Sequence, residues 1–462
     1  MFQNFLDLLK PSLHHQVPHI PAIDCKSNPP NFTFNQAWQL LALAVSLFVP
    51  KNSRLLWFLK LHLSRNSVDT KTETGKYASY CERALERTIK NGARETKPSR
   101  MEVLSILLKN PYHHSLPHAI PVHMMNGTYQ VISFDGSTTI EEFHSTLVQE
   151  IGCRDSSNGF TLFSDDPIEK DLEHYLDPHA KLCDVISKWE TALREKGSGK
   201  FENSRVIQLT YKNRLYWKHT VKLETDKERL LLCYQINQQI VQGRFPLSRD
   251  LALELASLMA QIDMNDIGEK AKGTSLQAVD KFYPYRYRDV LSPEGLKELQ
   301  EVLAIKWGLL KGRSVVDCVR IYLTCARKWN LFGAALFQAK PRHMDQAMVW
   351  LAISEDALHI LDLSSMLPLA RYNYSSVMTF GGSQDDFMLV VGPEDTLNPN
   401  LEQKLLFAMS KPKILEITLL IADYMNALGH ALPGTPQMNT LTRNGSYRSA
   451  KYDQTSLLVF IF

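Results

Sequence analysis

Residues 110–143 constrain the fold of this chain more than any other stretch, because the hydrophobic period changes there. Every strong pattern before them is helical, whereas the stretch itself reads NPYHHSLPHAIPVHMMNGTYQVISFDGSTTIEEF. Two runs with strand character, Ala119–Met125 and Thr128–Phe134, flank Asn126-Gly127. Asn-Gly is the pair that best adopts the two positive φ angles of a type I′ turn, so we predict a tight hairpin.

A capped helix follows the predicted hairpin. Ser137, Thr138 and Thr139 precede Glu141 and Glu142 at the spacing of a capping box. Because a hairpin followed by an amphipathic helix opens a ubiquitin-like roll, we predict that fold for this part of the chain. We expect the roll to continue with a strand at Phe160–Phe163, a helix at Leu182–Leu193 and a last hairpin of Val206–Tyr211 with Leu215–Trp217.

Length and composition favour several globular domains. The chain has 462 residues, of which 44% are hydrophobic and 22% charged. A net charge of +3 is nearly neutral at this size, so we expect no nucleic-acid partner. The seven cysteines lack C-x-x-C spacing, which favours buried free thiols in a reducing compartment. We find neither a signal-peptide pattern nor an apolar run of membrane-spanning length.

Changes in hydrophobic period divide the chain into segments. The clearest early helices are Ser53–Asn66 and the amphipathic Lys76–Lys90. Four helices are predicted later in the chain, and then six short strands closed by a helix at Ile414–Leu428. The division is 1–33 irregular and proline-rich, 34–113 all-α, 119–220 ubiquitin-like, 226–330 helical, 332–429 a small barrel or sandwich with a C-terminal helix, and 430–462 disordered.

This order of segments resembles a MyTH4 (myosin tail homology) domain followed by a three-lobed FERM domain. QAWQLLALAVSLFVP and YCERALERTIKNGARETKPSRMEV resemble the second half of a MyTH4 domain, and IPVHMMNGTYQVISFDGSTTIEEF resembles the opening of the first FERM lobe. GRFPLSRDLALELASLMAQID and KILEITLLIADYMNAL resemble helices of the second and third lobes. The chain is most similar to the pleckstrin-homology, MyTH4 and FERM domain-containing family H, and looks like an N-terminally truncated form.

The resemblance implies a multidomain α+β fold. A partial MyTH4 helical bundle would precede a ubiquitin-like roll, a four-helix lobe like acyl-CoA-binding protein, and a PH/PTB-like barrel with a C-terminal helix. It also implies a non-enzymatic adaptor of the cytoplasm, the cytoskeleton or the periphery of the plasma membrane, which binds short peptide motifs of cargo or membrane proteins. The alternative is a phosphoinositide-binding membrane-surface module, and actin and microtubules both stay open as the cytoskeletal partner.

Patterns of catalytic, cofactor-binding or metal-ligating residues are weak in this sequence. Lys196–Lys200 (KGSGK) lacks the first glycine of a phosphate-binding loop, and Phe201 stands where that motif has Ser or Thr. The histidines at positions 14, 15 and 19, and at 113, 114 and 118, lie in loops without cysteine or carboxylate partners. We therefore expect no enzymatic activity, no cofactor and no metal.

A basic face is the first candidate binding surface. It begins with three cations at helical i, i+4 and i+7 positions and extends through the following loop: Arg83, Arg87, Lys90, Arg94, Lys97 and Arg100. One interpretation is a solvated face with Glu82 and Glu86 as intrahelical partners. The other, implied by the resemblance, is a platform for an acidic partner such as a tubulin tail or a cargo segment.

Two further surfaces follow from the resemblance. Barrels of the phosphotyrosine-binding type take a peptide between one sheet edge and the C-terminal helix. The lining here would be Ser376, Val377, Met378, Thr379, Phe380, Ile414, Ile417 and Ile421, unless these residues only pack the helix on the barrel. FERM domains also bind phosphoinositide headgroups between lobes, for which the sparse candidates are Lys311, Arg313 and Arg342.

Overall fold

The computed structural model describes residues 31–108, 116–154, 159–169, 172–196, 208–268, 271–342, 348–392 and 402–429. The expectations for residues 1–30, 113–114, 197–201 and 430–462 therefore concern residues outside these ranges. The chain divides into two compact units. The first consists of residues 1–123, 129–151 and 162–209, and the second of residues 124–128, 152–161 and 210–462.

The first unit begins with four helices, α1 Asn31–Leu47, α2 Ser53–Asn66, α3 Glu73–Asn91 and α4 Arg100–Leu108. In their shared core the Trp38 ring stacks on those of His62 and Tyr77, at centroid distances of 5.8 and 6.2 Å. Helix α2 has the predicted bounds. The residues that the period places on the inner face of α3 are all buried, namely Tyr77, Tyr80, Cys81, Ala84, Leu85 and Thr88.

The ubiquitin-like part has one sheet and two long helices. Its elements are β1 His118–Met124, β2 Tyr129–Phe134, α5 Ile140–Ile151, β3 Phe160–Asp165, β4 Glu173–Tyr175, α6 Leu182–Lys196 and β5 Leu209–Asn213. The strand order is β2-β1-β5-β3-β4. The predicted β1–β2 hairpin is present and antiparallel, with Ile120 opposite Ile132.

The turn of this hairpin differs from the predicted type I′ turn. Gly127 has a φ of 80°, but Asn126 is not among the described non-glycine residues with positive φ. The Gly127 amide donates to Met124 O at 3.0 Å, and the Met124 amide donates to Thr128 O at 2.8 Å. The connection is therefore a three-residue loop that ends on a left-handed glycine, which needs only one positive φ angle.

The predicted strand Leu215–Trp217 is wrong. The amides of Arg214 and Leu215 donate to Gly159 O at 2.7 and 3.2 Å, and the Tyr216 amide donates to the Tyr424 hydroxyl at 3.0 Å. These donors are therefore used outside any strand ladder, and the chain continues into a 3-10 helix at Lys218–Leu223.

The helical part of the second unit contains two helices beyond the predicted four. Its helices are α7 Asp226–Val241, α8 Arg249–Met264, α9 Ala271–Phe282, α10 Tyr285–Arg288, α11 Pro293–Gly308 and α12 Val315–Ala326. The sequence of α9 carries Gly273, Thr274 and Ser275, which have low helix propensity. Burial of Ala278, Val279 and Phe282 outweighs that propensity.

The remaining part is an antiparallel sheet of seven strands closed by a helix. The elements are β6 Ala335–Pro341, β7 Val349–Ile353, β8 Ala357–Asp362, β9 Pro368–Asn373, β10 Val377–Ser383, β11 Asp386–Val391, β12 Gln403–Ala408 and α13 Lys411–Ala427. The order is β10-β11-β12-β6-β7-β8-β9. Strand β12 was not predicted, because Leu405, Leu406 and Phe407 do not alternate with polar residues. Phe407 pairs with both Phe387 and Pro341, so β12 joins the two halves of the sheet.

None of the helices in the described ranges combines the length and the apolar content that a membrane span requires.

Candidate functional site

Helix α3 positions the predicted basic face. Thr72 caps its start by accepting a hydrogen bond from the Gly75 amide at 3.1 Å, and Gly92, with a φ of 83°, ends it. Because the inner side of α3 belongs to the helical core, Arg83, Arg87 and Lys90 lie on its outer side.

Arg87 binds two carboxylates of the ubiquitin-like part. Its Nε donates to Asp135 Oδ2, and its Nη2 donates to Glu142 Oε2 at 2.8 Å and to Thr138 Oγ1 at 3.3 Å. Partial burial by itself would lower the pKa of Arg87, but Asp135 and Glu142 outweigh it and raise the pKa above its ordinary value. The positive charge is therefore held between these two acids.

Two neighbours on α3 extend this contact. Thr88 Oγ1 lies 2.6 Å from Val45 O and 3.0 Å from Ser137 Oγ, and Asn91 Nδ2 donates to Ser137 O at 2.9 Å. The Glu142 amide donates to Thr139 Oγ1 at 3.2 Å, which is one half of the predicted capping box. The Glu142 carboxylate, however, accepts from Arg87 and Asn91, so this residue joins the contact between the two parts.

The loop after α3 places Arg94 in a buried charge network. Its guanidinium donates to Glu102 of α4 at 2.5 Å and to Asp184 of α6 at 2.6 Å. The side chains of Arg94 and Glu102 are each 1% exposed, and that of Asp184 is 6% exposed. Burial alone would raise the pKa of Asp184, but Arg94 and hydrogen bonds from residues 95 and 96 lower it below its ordinary value. Asp184 therefore remains ionised at neutral pH.

Backbone groups complete the contact between the helical bundle and the ubiquitin-like part. Lys181 Nζ donates to Gly92 O at 2.5 Å and to Ala93 O at 2.6 Å. The Glu190 carboxylate accepts from the first two amides of α4, at 2.8 and 3.4 Å, and so caps that helix from a different element. We call this set of contacts within the first unit the junction.

The predicted basic face is thus divided by the junction. Arg87 and Arg94 bind carboxylates of this chain, and Arg94 has almost no exposed surface with which to bind a partner. Arg83, Lys90, Lys97 and Arg100 are exposed. Arg83 Nη1 donates to Ser79 Oγ at 3.1 Å, and no described carboxylate pairs with Arg83.

Sequence reasoning missed the carboxylates that hold the two arginines. Asp135 directly follows the predicted hairpin, and Asp184 opens the predicted helix Leu182–Leu193, so both were visible as acids at the ends of elements. Their pairing with Arg87 and Arg94 spans 48 and 90 residues of sequence, and no local pattern identifies it.

A cavity of about 270 Å³ lies at the junction. Tyr80, Arg83 and Arg87 line it from α3, and the other wall includes Asp135, Glu142 and Phe143. Because Arg87, Asp135 and Glu142 bind one another, Arg83 is the cation of the lining without a described acidic partner.

One buried group at the junction brings metal-ligating atoms together among the described residues. The atoms of Glu102, His118 and Cys183 lie within 4.8 Å of one another. Both Glu102 oxygens already accept from Arg94, at 2.5 and 3.3 Å. Burial raises the pKa of the Cys183 thiol well above its ordinary value, so the thiol stays protonated. A divalent ion would have to displace the Arg94 guanidinium, and the group does not fit a metal.

The predicted peptide groove belongs to the second unit. Strand β10 is an edge of the seven-stranded sheet, and α13 packs beside it through Ile414, Ile417 and Ile421, which are buried in the core of the barrel. Met378 is 40% exposed, Val377 is buried, and Ser376, Thr379 and Phe380 are half-buried. The strand edge is therefore accessible, whereas the three isoleucines offer no surface to a peptide.

The predicted headgroup residues Lys311, Arg313 and Arg342 are all exposed. Lys311 and Arg313 lie in the connection between α11 and α12. Arg342 donates to Asp386 Oδ1 at 2.8 and 3.0 Å, so its charge is shared with a carboxylate of this chain. The neighbouring His343 lies outside the described residues.

Three family models match the chain in succession. They are the MyTH4 domain at residues 24–105, the RA like domain at residues 116–215 and the FERM central domain at residues 218–337. A Drosophila melanogaster protein, Uncharacterized protein CG43867, is 76% identical over 445 residues, which is 94% of this chain. The chain spans 24% of the length of that protein.

Solved MyTH4–FERM structures have the same fold. The human myosin 7b C-terminal MyTH4-FERM domain, in complex with harmonin-a PDZ3 domain, superposes with a TM-score of 0.70 at 16% identity, over 87% of this chain and 77% of that one. The MF1 domain of Dictyostelium discoideum myosin VII gives a TM-score of 0.66 at 19% identity, over the same shares of the two chains.

The fold and the succession of matches define a MyTH4 module joined to a FERM module, of multidomain α+β class. The chain is a MyTH4–FERM tandem. Its predicted assignment to the pleckstrin-homology, MyTH4 and FERM domain-containing family H stays a prediction, as do the exact domain boundaries.

Proposed function

We propose that this tandem is a non-enzymatic adaptor that binds an acidic segment of a partner protein at the junction and links that partner to the cytoskeleton. The observation that carries the proposal is the junction cavity, in which Arg83 is exposed while Arg87 is held by Asp135 and Glu142. Binding of this kind needs no chemical step, and the two acids of the cavity, Asp135 and Glu142, are both held by Arg87.

The chemistry of the cavity favours a carboxylate beside an apolar side chain. The Arg83 guanidinium can bind a carboxylate through two parallel hydrogen bonds. The half-buried Leu116 supplies apolar surface in the same cavity, whereas the other apolar lining residues, Tyr80, Ala84 and Phe143, are buried. A partner segment with an acidic residue next to an aromatic or aliphatic residue would contact both the Arg83 guanidinium and the apolar surface. Lys90 and Lys97 would add long-range attraction outside the cavity.

Binding of an acidic-aromatic peptide, measured by fluorescence anisotropy with the full chain, tests the proposal. Arg83→Glu should weaken binding by roughly tenfold or more, since one direct charge-assisted contact is lost and a repulsion is added. Lys97→Glu makes the same change of net charge away from the cavity and should weaken binding only a few-fold. Equal effects of the two substitutions would contradict a site in the cavity.

Microtubule pelleting tests the cytoskeletal part. Arg83→Glu with Lys90→Glu should reduce pelleting if acidic tubulin tails are the partner, and this pair spares Arg87 and therefore the junction. Unchanged pelleting would remove microtubules as the partner and leave actin as the cytoskeletal link to be tested.

A second candidate site is the edge of β10 in the barrel. Its edge position and the exposed Met378 support addition of a partner strand, with the side chain of Met378 as an apolar contact. Met378→Asp should abolish capture of a peptide that uses this edge and leave binding at the junction unchanged.

A further inference from the structure

Helix α2 presents two large aromatic side chains to solvent. Leu59, His62 and Leu63 form its buried side, whereas Trp57 and Phe58 are each 59% exposed. Their rings contact edge-on, with centroids 5.2 Å apart. Removing large apolar side chains from water is favourable, so two adjacent exposed aromatics mark a surface that gains from contact with an apolar phase.

The segment that carries these aromatics has charges of one sign. Residues 51–68 contain four cations and no acid, and the four cations are all exposed: Lys51, Arg54, Lys60 and Arg65. None of the four forms an ion pair with any described residue. At 100° per residue, Trp57 lies between Lys60 on one side and Arg54 on the other, with Phe58 beside Arg65. On the outer side of α2 the aromatics therefore alternate with cations. Arg54 and Arg65 fall between Trp57 and Phe58, and Lys60 falls on the other side of Trp57.

We propose that this side of α2 binds the surface of an anionic lipid bilayer. Trp and Phe side chains partition into the interface between headgroups and acyl chains, and the Lys and Arg side chains beside them reach anionic headgroups. A helix side is convex and its aromatics protrude, and a bilayer accepts protruding side chains without a shaped pocket. This contact is additional to the adaptor function, which requires only protein partners.

A second exposed apolar ridge lies on a helix whose charge differs from that of α2. Ile305 on α11 and Leu309 at its C-terminal cap are 66% and 79% exposed, so they are at least as accessible as Trp57 and Phe58. The same helix carries Glu294, Glu298 and Glu301, and it lacks exposed aromatics. Lys297 and Lys306 lie on the same helix, so its charge is mixed and not only basic. The ridge therefore serves as a control for exposed apolar surface without aromatic side chains.

Co-sedimentation of the full chain with phosphatidylcholine vesicles, with and without phosphatidylserine, tests the proposal. The chain should bind only vesicles that contain phosphatidylserine, and added salt should weaken binding. Trp57→Ser with Phe58→Ser should reduce binding by roughly tenfold or more, because the inserted side chains are lost. Lys60 is exposed, so Lys60→Glu should fold normally. It should reduce vesicle binding by about tenfold or more, since it removes one attraction to the anionic headgroups and adds a repulsion.

Three comparisons separate the possible results. Ile305→Ser with Leu309→Ser should leave vesicle binding unchanged, and so should Lys311→Glu with Arg313→Glu, which tests the headgroup site of the second unit. Arg83→Glu should also leave vesicle binding unchanged, because this substitution affects the adaptor function alone. Absence of vesicle binding by the full chain, or binding that the α2 substitutions do not alter, would overturn the proposal. The proposal would also be overturned if the α2 substitutions abolished binding of an acidic polypeptide but left binding of vesicles unchanged.

Discussion

Arg94→Met removes the buried cation that holds two carboxylates, and we expect it to destabilise the first unit strongly. The Arg94 side chain is 1% exposed and donates to Glu102 at 2.5 and 3.3 Å and to Asp184 at 2.6 Å. Removing one partner of a buried ion pair costs about 3–5 kcal/mol, because the remaining charge is left buried and uncompensated. Arg87→Met, at a side chain that is 34% exposed, should cost about 1 kcal/mol or less, because solvent screens that pair.

Urea unfolding measures the difference. With an m-value of about 2 kcal/mol per molar urea, a loss of about 4 kcal/mol lowers the midpoint of the first unit by about 2 M. Hydrogen exchange reports the same event locally, since the amides of Glu95 and Thr96 each donate to Asp184 at 3.2 Å and should lose protection.

Two variants complete this experiment. Arg83→Met is the control, because Arg83 is an exposed arginine of the preceding helix and should change stability by about 0.5 kcal/mol or less. Adding Glu102→Gln and Asp184→Asn to Arg94→Met should recover part of the loss, since no unpaired charge remains buried. If Arg94→Met shifted the midpoint no further than Arg83→Met, the reasoning about the buried network would be refuted.

Three further outcomes are expected. The pKa of Asp184 is lowered in the folded chain, so its contribution to stability is complete above the ordinary carboxyl pKa of about 3.9 and is lost as pH falls through the folded pKa. Asp184→Asn should remove this part of the acid dependence of unfolding. An unchanged dependence of the unfolding free energy on pH would contradict this expectation. Gly159→Ala should destabilise the second unit by about 2 kcal/mol or more, because an added Cβ would lie 1.8 Å from Leu215 O. Gly127→Ala, where φ is also positive but no atom lies within 4 Å, should cost only about 1 kcal/mol, and a similar loss in urea melts of both variants would refute the steric argument. Burial raises the pKa of Cys153 to about 11, so iodoacetamide at pH 8 should modify it roughly a hundredfold more slowly than a free thiol, with the urea-unfolded chain as the control.

The helices of the bundle were predictable because their information is local. Apolar residues at three- and four-residue steps identify the inner side of α3, and Asn52 accepts from the amides of Arg54 and Leu55 at the start of α2, where the prediction began that helix. Helix α9 and strand β12 were missed because their local sequences show no clear preference for helix or strand. Only contacts with neighbouring elements decide their conformation.

The candidate site was predictable only in part. The sequence placed Arg83, Arg87 and Lys90 on one side of a helix, but it could not separate the exposed cation from the engaged one. Arg87 and Arg83 differ because Asp135 and Glu142 reach only Arg87. Likewise, the period placed Ile417 and Ile421 beside an edge strand, but close packing of α13 on the barrel leaves them no exposed surface.

The sequence by itself determined the succession of a helical module, a ubiquitin-like roll, a helical lobe and a barrel. It did so through hydrophobic period, turn residues and helix caps, because each of these signals depends only on neighbours a few residues away. Tertiary structure decided what residues 110–143 connect. The hairpin within them is followed by Asp135, whose carboxylate binds Arg87 across 48 residues, and α6 supplies Asp184 to Arg94 across 90. Charges at such separations in sequence meet only when two modules pack, and that packing creates the cavity in which Arg83 is exposed.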